Sequence, residues 1–147
     1  MLDITVKRFN EIDTDELYQL LQLRSRVFVV EQACIYQDLD GKDQKAIHII
    51  GKKDNRIVAY TRAFTAGDYF EQASIGRVVV SDQERSHGYG KVIMEASIKA
   101  VEEVFKENTI KLSAQTYLKK FYNSLGFKAY GEGYLEDGIP HIVMLRN

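Results

Sequence analysis

The sequence predicts an α/β (α+β) protein whose mixed, mostly antiparallel central sheet is flanked by helices. Short apolar or alternating runs, typical of strands, recur along the chain between segments of helical period. The early strands follow one another through tight turns, which favours antiparallel pairing, while helices between the later strands allow parallel pairing. A length of 147 residues suits one hydrophobic core. We therefore expect a single domain over residues 1–147.

The first half of the chain predicts a strand, a helix and an antiparallel hairpin. Residues 2–8 alternate apolar and polar side chains, as half-buried strands do. Asp13 and Glu16 have the spacing of a helix cap, and a helical period follows to about residue 30. The pair Asp54-Asn55 is typical of a hairpin turn. The remaining predicted elements of this half are a polar loop at 34–45 and strands at 46–51 and 56–65.

The second half predicts strands that alternate with helices. Its predicted elements are strands at 74–80, 109–114, 128–133 and 141–145, a helix that begins near residue 90 and a short helix at 116–125. The valine-rich end of the first of these strands predicts burial on both faces. One face of the longer helix is predicted to carry Ile93, Ser97, Ala100, Val101 and Val104. Gly126 is expected to end the short helix.

Composition and charge exclude several classes of protein. The formal net charge of -1 gives no basic surplus for binding nucleic acid. No apolar run is long enough to span a bilayer, so we expect no membrane association. The single Cys34 cannot form an internal disulfide and favours a cytoplasmic location. The three histidines lie far apart, so we expect no metal, and a homodimer is compatible with the sequence.

The turn after the strand at 74–80 has the features of an anion site. Its sequence is Arg85-Ser86-His87-Gly88-Tyr89-Gly90-Lys91. The first N–H groups of a helix lack intrahelical partners and lie at the positive end of its dipole, and glycine lets the backbone approach an anion closely. The spacing matches neither a Walker loop nor a dinucleotide-binding fingerprint. Spacing alone leaves open that the two glycines only shape a tight turn.

Four blocks of the sequence resemble the GNAT acetyltransferase superfamily. The pattern Arg85-x-x-Gly88-x-Gly90 after a valine-rich strand resembles motif A of that family. The block at 114–127, which contains Phe121-Tyr122, is similar to a second family element. The blocks at 23–32 and 134–141 resemble the small ElaA-like branch. Because these blocks run through nearly the whole chain in the expected order, the resemblance implies the GNAT acyl-CoA N-acyltransferase fold.

The resemblance implies acetyl-CoA as the cosubstrate, bound between the strands at 74–80 and 109–114. In the family, the loop amides hold the coenzyme A pyrophosphate and the preceding strand binds the pantetheine arm. The coenzyme-binding residues implied for this chain are Val78, Val79, Val80, Arg85, Ser86, His87, Gly88, Tyr89, Gly90 and Lys91. We expect Arg85 and Lys91 to flank the phosphates with full charges.

The same resemblance implies an N-acetyltransferase in which a primary amine attacks directly in a ternary complex. Tyr122 matches the family's tyrosine near the coenzyme sulfur, so we expect it to be the general acid for the leaving thiolate. An ordinary aromatic anchor is the alternative role for this side chain. A backbone N–H of the strand would stabilise the oxyanion. The candidates for the base are Glu31, His48, Glu136 and His141, and a water relay stays open.

The acceptor itself is predicted only as a class. The expected walls of its site carry Glu31, Asp38, Asp40, Glu136 and Asp137. An acidic entrance of this kind would favour a cationic amine, such as a polyamine or a lysine side chain. Two other functions stay open. One is a noncatalytic acyl-CoA-binding or sensor module that keeps motif A. The other is a transferase like the acyl-homoserine-lactone synthases, suggested by Arg-x-x-Val-Phe-x-x-Glu-Gln at residues 24–32.

Overall fold

The computed structural model describes residues 1–147 and contains one seven-stranded sheet. The strands are β1 Asp3–Arg8, β2 Ile47–Lys53, β3 Arg56–Phe64, β4 Ala73–Val80, β5 Ile110–Gln115, β6 Lys128–Glu136 and β7 Ile139–Arg146. The helices are α1 Thr14–Arg24, α2 Tyr89–Ala100 and α3 Lys119–Asn123. The strand order is β1-β2-β3-β4-β5-β7-β6, and only β4 and β5 are parallel. The predicted fold class is confirmed.

The first helix begins where the sequence predicts, but its geometry changes near its end. The Asp13 side chain accepts a hydrogen bond from the backbone N–H of Glu16 at 2.8 Å, which satisfies one free donor of the first turn. After α1, the chain continues in wider, π-helical turns over Ser25–Glu31. Helical backbone therefore reaches the predicted end, but the π turns rotate its last side chains relative to an α-helix.

The hairpin between β2 and β3 forms at the predicted turn. Asp54 and Asn55 have φ values of +51° and +64°, so both central residues are left-handed. That conformation matches the right-handed twist of the flanking strands, and Asn and Asp tolerate it better than most residues. The prediction of an antiparallel hairpin is confirmed.

Different helices cover the two faces of the sheet. On one face, α2 contributes Ile93 to an apolar cluster of 18 buried residues that includes Ile49. On the other face, α1 contributes Leu20 and Leu23 to a cluster of seven around Ile50. Neighbouring residues of a strand point to opposite faces, so Ile49 and Ile50 belong to different clusters. None of the helices is both long and apolar enough to cross a membrane.

Two predictions about the positions of valine side chains are wrong. Val104 is exposed because α2 passes into π-helical turns at Val101–Phe105, which move this side chain off the buried face. Val78 and Val80 are only half-buried, whereas Val79 between them is 3% exposed. The side chains of the two outer valines lie on the opposite face of β4 from Val79, where they pack at the border of the larger cluster and line a gap that β5 does not cover.

That gap opens because β4 and β5 separate soon after they pair. On β4, the parallel pairing involves only Ala73 and Ser74. Further along, a β-bulge places two residues of β4 opposite Thr61, and Arg77 within it adopts φ +51°. Meanwhile β5 stays paired with β7 along its whole length. The two strands therefore diverge where the sequence predicts the coenzyme.

A buried ion network fixes the loop at 34–45 onto the sheet. Arg24 donates to Asp38 Oδ2 at 2.9 Å and to Asp43 Oδ1 at 2.8 Å. Arg62 donates to the same Asp43 oxygen at 3.0 Å and to Asp40 Oδ2 at 2.6 Å. Burial acts to raise the pKa of Asp43, but the two arginines outweigh it and hold that pKa below its ordinary value. The stabilisation is therefore present at neutral pH and is lost as the pH falls through the lowered pKa.

We expect Asp43→Ala to lower the free energy of unfolding by about 3–5 kcal/mol, because two buried guanidinium groups lose the carboxylate that they share. Urea unfolding at neutral pH measures this loss. The matched control is Asp3→Ala, which removes an exposed carboxylate at the start of β1 and should change stability by less than about 0.5 kcal/mol. An equal effect of the two substitutions would contradict a stabilising network.

Candidate active site

The loop between β4 and α2 presents a row of free backbone donors. The N–H groups of residues 86–91 have no acceptor within the protein, and the first helical bond runs from Val92 N–H to Gly88 O. Gly88 has φ +77°, and a Cβ built on it would point into open space. Glycine adopts this conformation readily, so the backbone stays open to a ligand. Free donors at the N-terminus of a 12-residue helix suit an anion such as phosphate.

A cavity of about 570 Å³ extends from this loop along β4 to α3, and we call it the loop cavity. Nine of the ten predicted coenzyme-binding residues line it: Val78, Val79, Val80, Arg85, Ser86, Gly88, Tyr89, Gly90 and Lys91. The tenth, His87, is exposed outside the wall, and its ring centre lies 5.5 Å from that of Tyr89. The structure thus brings the predicted residues together around one space, while their contact with coenzyme A stays a prediction.

Arg85 is ion-paired with Glu31, which the sequence analysis names as a candidate for the base. Its guanidinium donates to the two oxygens of Glu31 at 2.6 and 2.9 Å, and to the Val80 carbonyl at 3.2 Å. The hydrogen bonds from Arg85 lower the pKa of Glu31 and outweigh the opposite effect of burial. A carboxylate that is ion-paired and more acidic than usual accepts a proton poorly, so Glu31 is a poor candidate for the base.

Tyr122 lies where two cavities meet. Its side chain is 5% exposed and lines both the loop cavity and a second cavity of about 640 Å³. Its hydroxyl has no hydrogen-bond partner within the protein, and burial raises the pKa of Tyr122 well above the usual phenol value. The phenol therefore holds its proton at neutral pH. The other residues that line both cavities are Phe28, Gln32, Val78, Gln115 and Leu118.

The ring of Tyr122 also packs as an aromatic anchor would. Its centre lies 5.1 Å from that of Phe121 and 6.1 Å from that of Phe127, and both contacts are edge-on. The two roles that the sequence left open therefore use different parts of one side chain. The ring fixes the helix end, while the hydroxyl stays free at the junction.

The second cavity, which we call the acceptor cavity, contains the remaining base candidates. Glu136 ends β6 and His141 lies in β7, and both line this space. His141 Nδ1 lies 2.7 Å from the Ile139 carbonyl, which assigns a proton to Nδ1. The other ring nitrogen, Nε2, lies 3.6 Å from Glu136 Oε2. The two groups are close enough to act on one amine proton together.

Two further polar residues of the acceptor cavity are absent from the sequence prediction. Ser113 Oγ hydrogen-bonds to the Tyr134 hydroxyl and lies 3.3 Å from Glu136 Oε1. The ring of Tyr134 stacks on that of His141. Polar and buried apolar side chains alternate along β5, which places Ser113 on the cavity face. That alternation is the signal that could have identified it.

His48 does not belong to either cavity, so its candidacy as the base is wrong. Its side chain is fully buried, with Nδ1 2.5 Å from the Tyr60 hydroxyl and Nε2 2.9 Å from the Asp43 carbonyl. Burial lowers the pKa of His48 and favours the neutral ring. No group of three or more His, Cys, Asp or Glu side chains is placed to hold a metal ion.

The acceptor cavity is less acidic than the sequence predicts. Asp38 is buried and bound by two arginines, at 2.9 and 2.7 Å. Burial acts to raise the pKa of Asp40, but hydrogen bonds from Arg62 outweigh it and lower that pKa. Of the acids predicted for the walls, only Glu136 and Asp137 line the acceptor cavity without an arginine partner.

Known proteins resemble this chain over nearly its whole length. A family model described as "Acetyltransferase (GNAT) domain" matches residues 12–146. Protein ElaA of Escherichia coli (strain K12) is 43% identical over 139 residues, which cover 93% of this chain and 91% of that protein. The crystal structure of an acyl-CoA N-acyltransferase from Pseudomonas aeruginosa has a TM-score of 0.93 at 42% identity and covers 100% of both chains. The acyl-homoserine-lactone synthase LasI has a TM-score of 0.77 over 99% of this chain and 89% of its own, at 15% identity, which shows a common fold alone.

We expect Gly88→Val to weaken coenzyme A binding roughly tenfold or more, about 1.4 kcal/mol, because the added side chain would occupy the space in front of the free amides. Calorimetry on folded protein measures the affinity. Gly131→Val is the matched control, since Gly131 has φ +79° and open space around it but lies outside both cavities. The control should keep its affinity. Unchanged binding by Gly88→Val would place the phosphates elsewhere.

Proposed function

The chain belongs to the GNAT acetyltransferase family, and on that premise we propose that it transfers the acetyl group of acetyl-CoA to a primary amine by direct attack in a ternary complex. Family membership supports acyl transfer in general. The observation that carries the more specific proposal is the position of Tyr122. Its protonated phenol lies at the junction between the loop cavity, which has free backbone donors, and the acceptor cavity, which has polar side chains.

The coenzyme is proposed to lie in the loop cavity. Its pyrophosphate would accept hydrogen bonds from the amides of residues 86–91, at the positive end of α2. The edge of β4 beyond Ser74 has no partner strand, so its backbone groups, apart from the Val80 carbonyl that accepts from Arg85, can bond to the pantetheine arm. Half-buried Val78 and Val80 offer apolar contact to the same arm. These features fit an elongated ligand with phosphates at one end and amide groups further along.

The proposed reaction forms a C–N bond and breaks the C–S bond of the thioester. The amine nitrogen attacks the carbonyl carbon, and a backbone N–H of β4 stabilises the oxyanion. The proton lost by the amine goes to His141 Nε2 or Glu136, which lie together in the acceptor cavity. Tyr122 gives its proton to the leaving thiolate and regains one from solvent. The products are an N-acetylated amine and coenzyme A.

Thiol release distinguishes this function from its two alternatives. We expect release from acetyl-CoA to require an added amine and to be faster than from longer acyl donors. A noncatalytic acyl-CoA-binding module would bind the donor without amine-dependent release. A transferase like the acyl-homoserine-lactone synthases would prefer a longer acyl chain. The acceptor cavity favours the enzyme over the binding module, because a module of that kind needs only the loop cavity.

We expect Tyr122→Phe to lower kcat by roughly 10²–10⁴, because the substitution keeps the ring and removes the proton donor for the thiolate. Coenzyme affinity should stay within a few-fold, so the loss appears in the chemical step. Single-turnover kinetics with an active amine measures that step.

The matched control for this experiment is Tyr18→Phe, which removes a phenol that is 71% exposed on α1. It should retain the wild-type kcat. If Tyr122→Phe keeps more than about half of the wild-type kcat while chemistry limits the rate, the general-acid role is wrong and the side chain is an anchor only.

A further inference from the structure

The charges of the acceptor cavity are unevenly distributed. The arginines and aspartates of the buried network compensate one another, but Lys42 and Lys111 also line the cavity and have no carboxylate partner. Their ammonium groups lie over the rings of Tyr69 and Phe70, 5.7 and 4.6 Å from the ring centres. This end of the cavity therefore carries a net positive charge.

Two buried polar atoms at the same end have no hydrogen-bond partner. They are Nε of Arg62 and Oγ of Ser74, in side chains that are 1% and 2% exposed and line the cavity. Ser74 pairs with Lys111 of β5, and the strand alternation places Arg62 on the same face. Unsatisfied buried donors are destabilising, and an anionic group would satisfy both. Tyr69, which is 41% exposed and lies over the Arg62 guanidinium, is the side chain that a ligand would displace.

The opposite end of the cavity carries a carboxylate and lies toward Tyr122, the proposed general acid. Glu136 lies beside Ser113, and Gln115 further along β5 lines the junction with Tyr122. Lys111 precedes Ser113 by two residues on the same face, a separation of about 7 Å along the strand. The positive and negative ends are therefore separated by the length of a short aliphatic chain.

We propose that the acceptor is a primary amine that carries an acidic group, a carboxylate or a phosphate monoester, at the far end of a short chain. The proposal rests on the proposed function and names the substrate class of the same site. The ammonium group lies at Glu136, where it loses a proton and faces the acetyl group. The acidic group lies against Lys42 and Lys111 and bonds to Arg62 and Ser74.

The same charges argue against a polyamine. A molecule with cations at both ends would place its second ammonium group beside two unpaired lysines, and like charges brought together at a binding site oppose binding. The aspartates at 38, 40 and 43 do not offset this repulsion, because arginines already bind them. The predicted cationic acceptor is therefore replaced by a dipolar one.

The test compares four amines that contain six carbon atoms each as acceptors for the acetyl group of acetyl-CoA. They are ε-aminocaproate, aminohexyl phosphate, the neutral ε-aminocaproamide and the dication hexamethylenediamine. Thiol release gives kcat/KM for each. We expect at least one of the two acidic amines to exceed the neutral amide by about tenfold or more, as a charged hydrogen bond predicts, and the dication to be the poorest. The better of the two acidic amines identifies the carboxylate or the phosphate as the preferred group.

Substitutions of residues that line the cavity test whether the preference for an acidic amine arises there. Lys111→Gln and Ser74→Ala should each move the ratio of kcat/KM for the acidic amine over the amide toward one. The effect should fall on KM rather than kcat, because the acidic group lies away from the reacting atoms. Lys45→Gln, which removes an exposed lysine outside both cavities, should keep the wild-type ratio.

The outcomes separate the two proposals. Equal or better turnover of the amide or the dication would overturn the dipolar acceptor and leave the acetyltransferase intact. A preference that Lys111→Gln and Ser74→Ala leave unchanged would overturn the assignment of the acidic group to this end of the cavity. If none of the four amines supports thiol release from acetyl-CoA but an amine of another class does, the dipolar acceptor is overturned and the acetyltransferase stands. If no amine supports release by a protein that binds coenzyme A, both proposals are overturned.

Discussion

Strands β4 and β5 pair through only two residues of each strand, and beyond them each must satisfy its backbone in another way. β5 does so by pairing with β7, whereas the free edge of β4 is left facing a gap. The two half-buried valines, the cavity along β4 and the meeting of that cavity with the second one at Tyr122 all follow from this divergence. The bulge at Arg77 assists it, because an extra residue bends the strand away from its neighbour.

The buried network has a second consequence besides stability. Three arginines and three aspartates neutralise one another around the loop at 34–45, so acids that are conspicuous in the sequence contribute little field to the site. The charges that remain effective are those without partners. A lysine over an aromatic ring, such as Lys111 over Phe70, keeps its charge available to a ligand because no carboxylate quenches it. The electrostatic character of the cavity is therefore set by what is left unpaired rather than by composition.

Local patterns made much of the fold predictable. The cap at Asp13, the turn at Asp54-Asn55 and the glycine loop before α2 each follow from the preference of a few neighbouring residues. Wrong predictions arose where a distant contact decides the outcome. The exposure of Val104 depends on π-helical turns that no periodicity predicts, and the pairing of Glu31 with Arg85 joins residues 54 positions apart. The alternation along β5 indicates the face on which Ser113 lies, but its contact with Glu136 appears only in the folded sheet, where β7 lies between β5 and β6.

The ion pair between Glu31 and Arg85 bears on how a bound phosphate compound would leave. Both side chains are substantially exposed, and Glu31 is the last residue of the π-helical turns that follow α1. A phosphate that takes Arg85 as its partner must first displace a carboxylate, so its net gain is the difference between two ion pairs of similar strength. When that compound left, Glu31 would pair with Arg85 again, so the guanidinium would keep a counter-ion throughout. Release of a phosphate by such an exchange would cost less free energy than breaking an ion pair that nothing replaces.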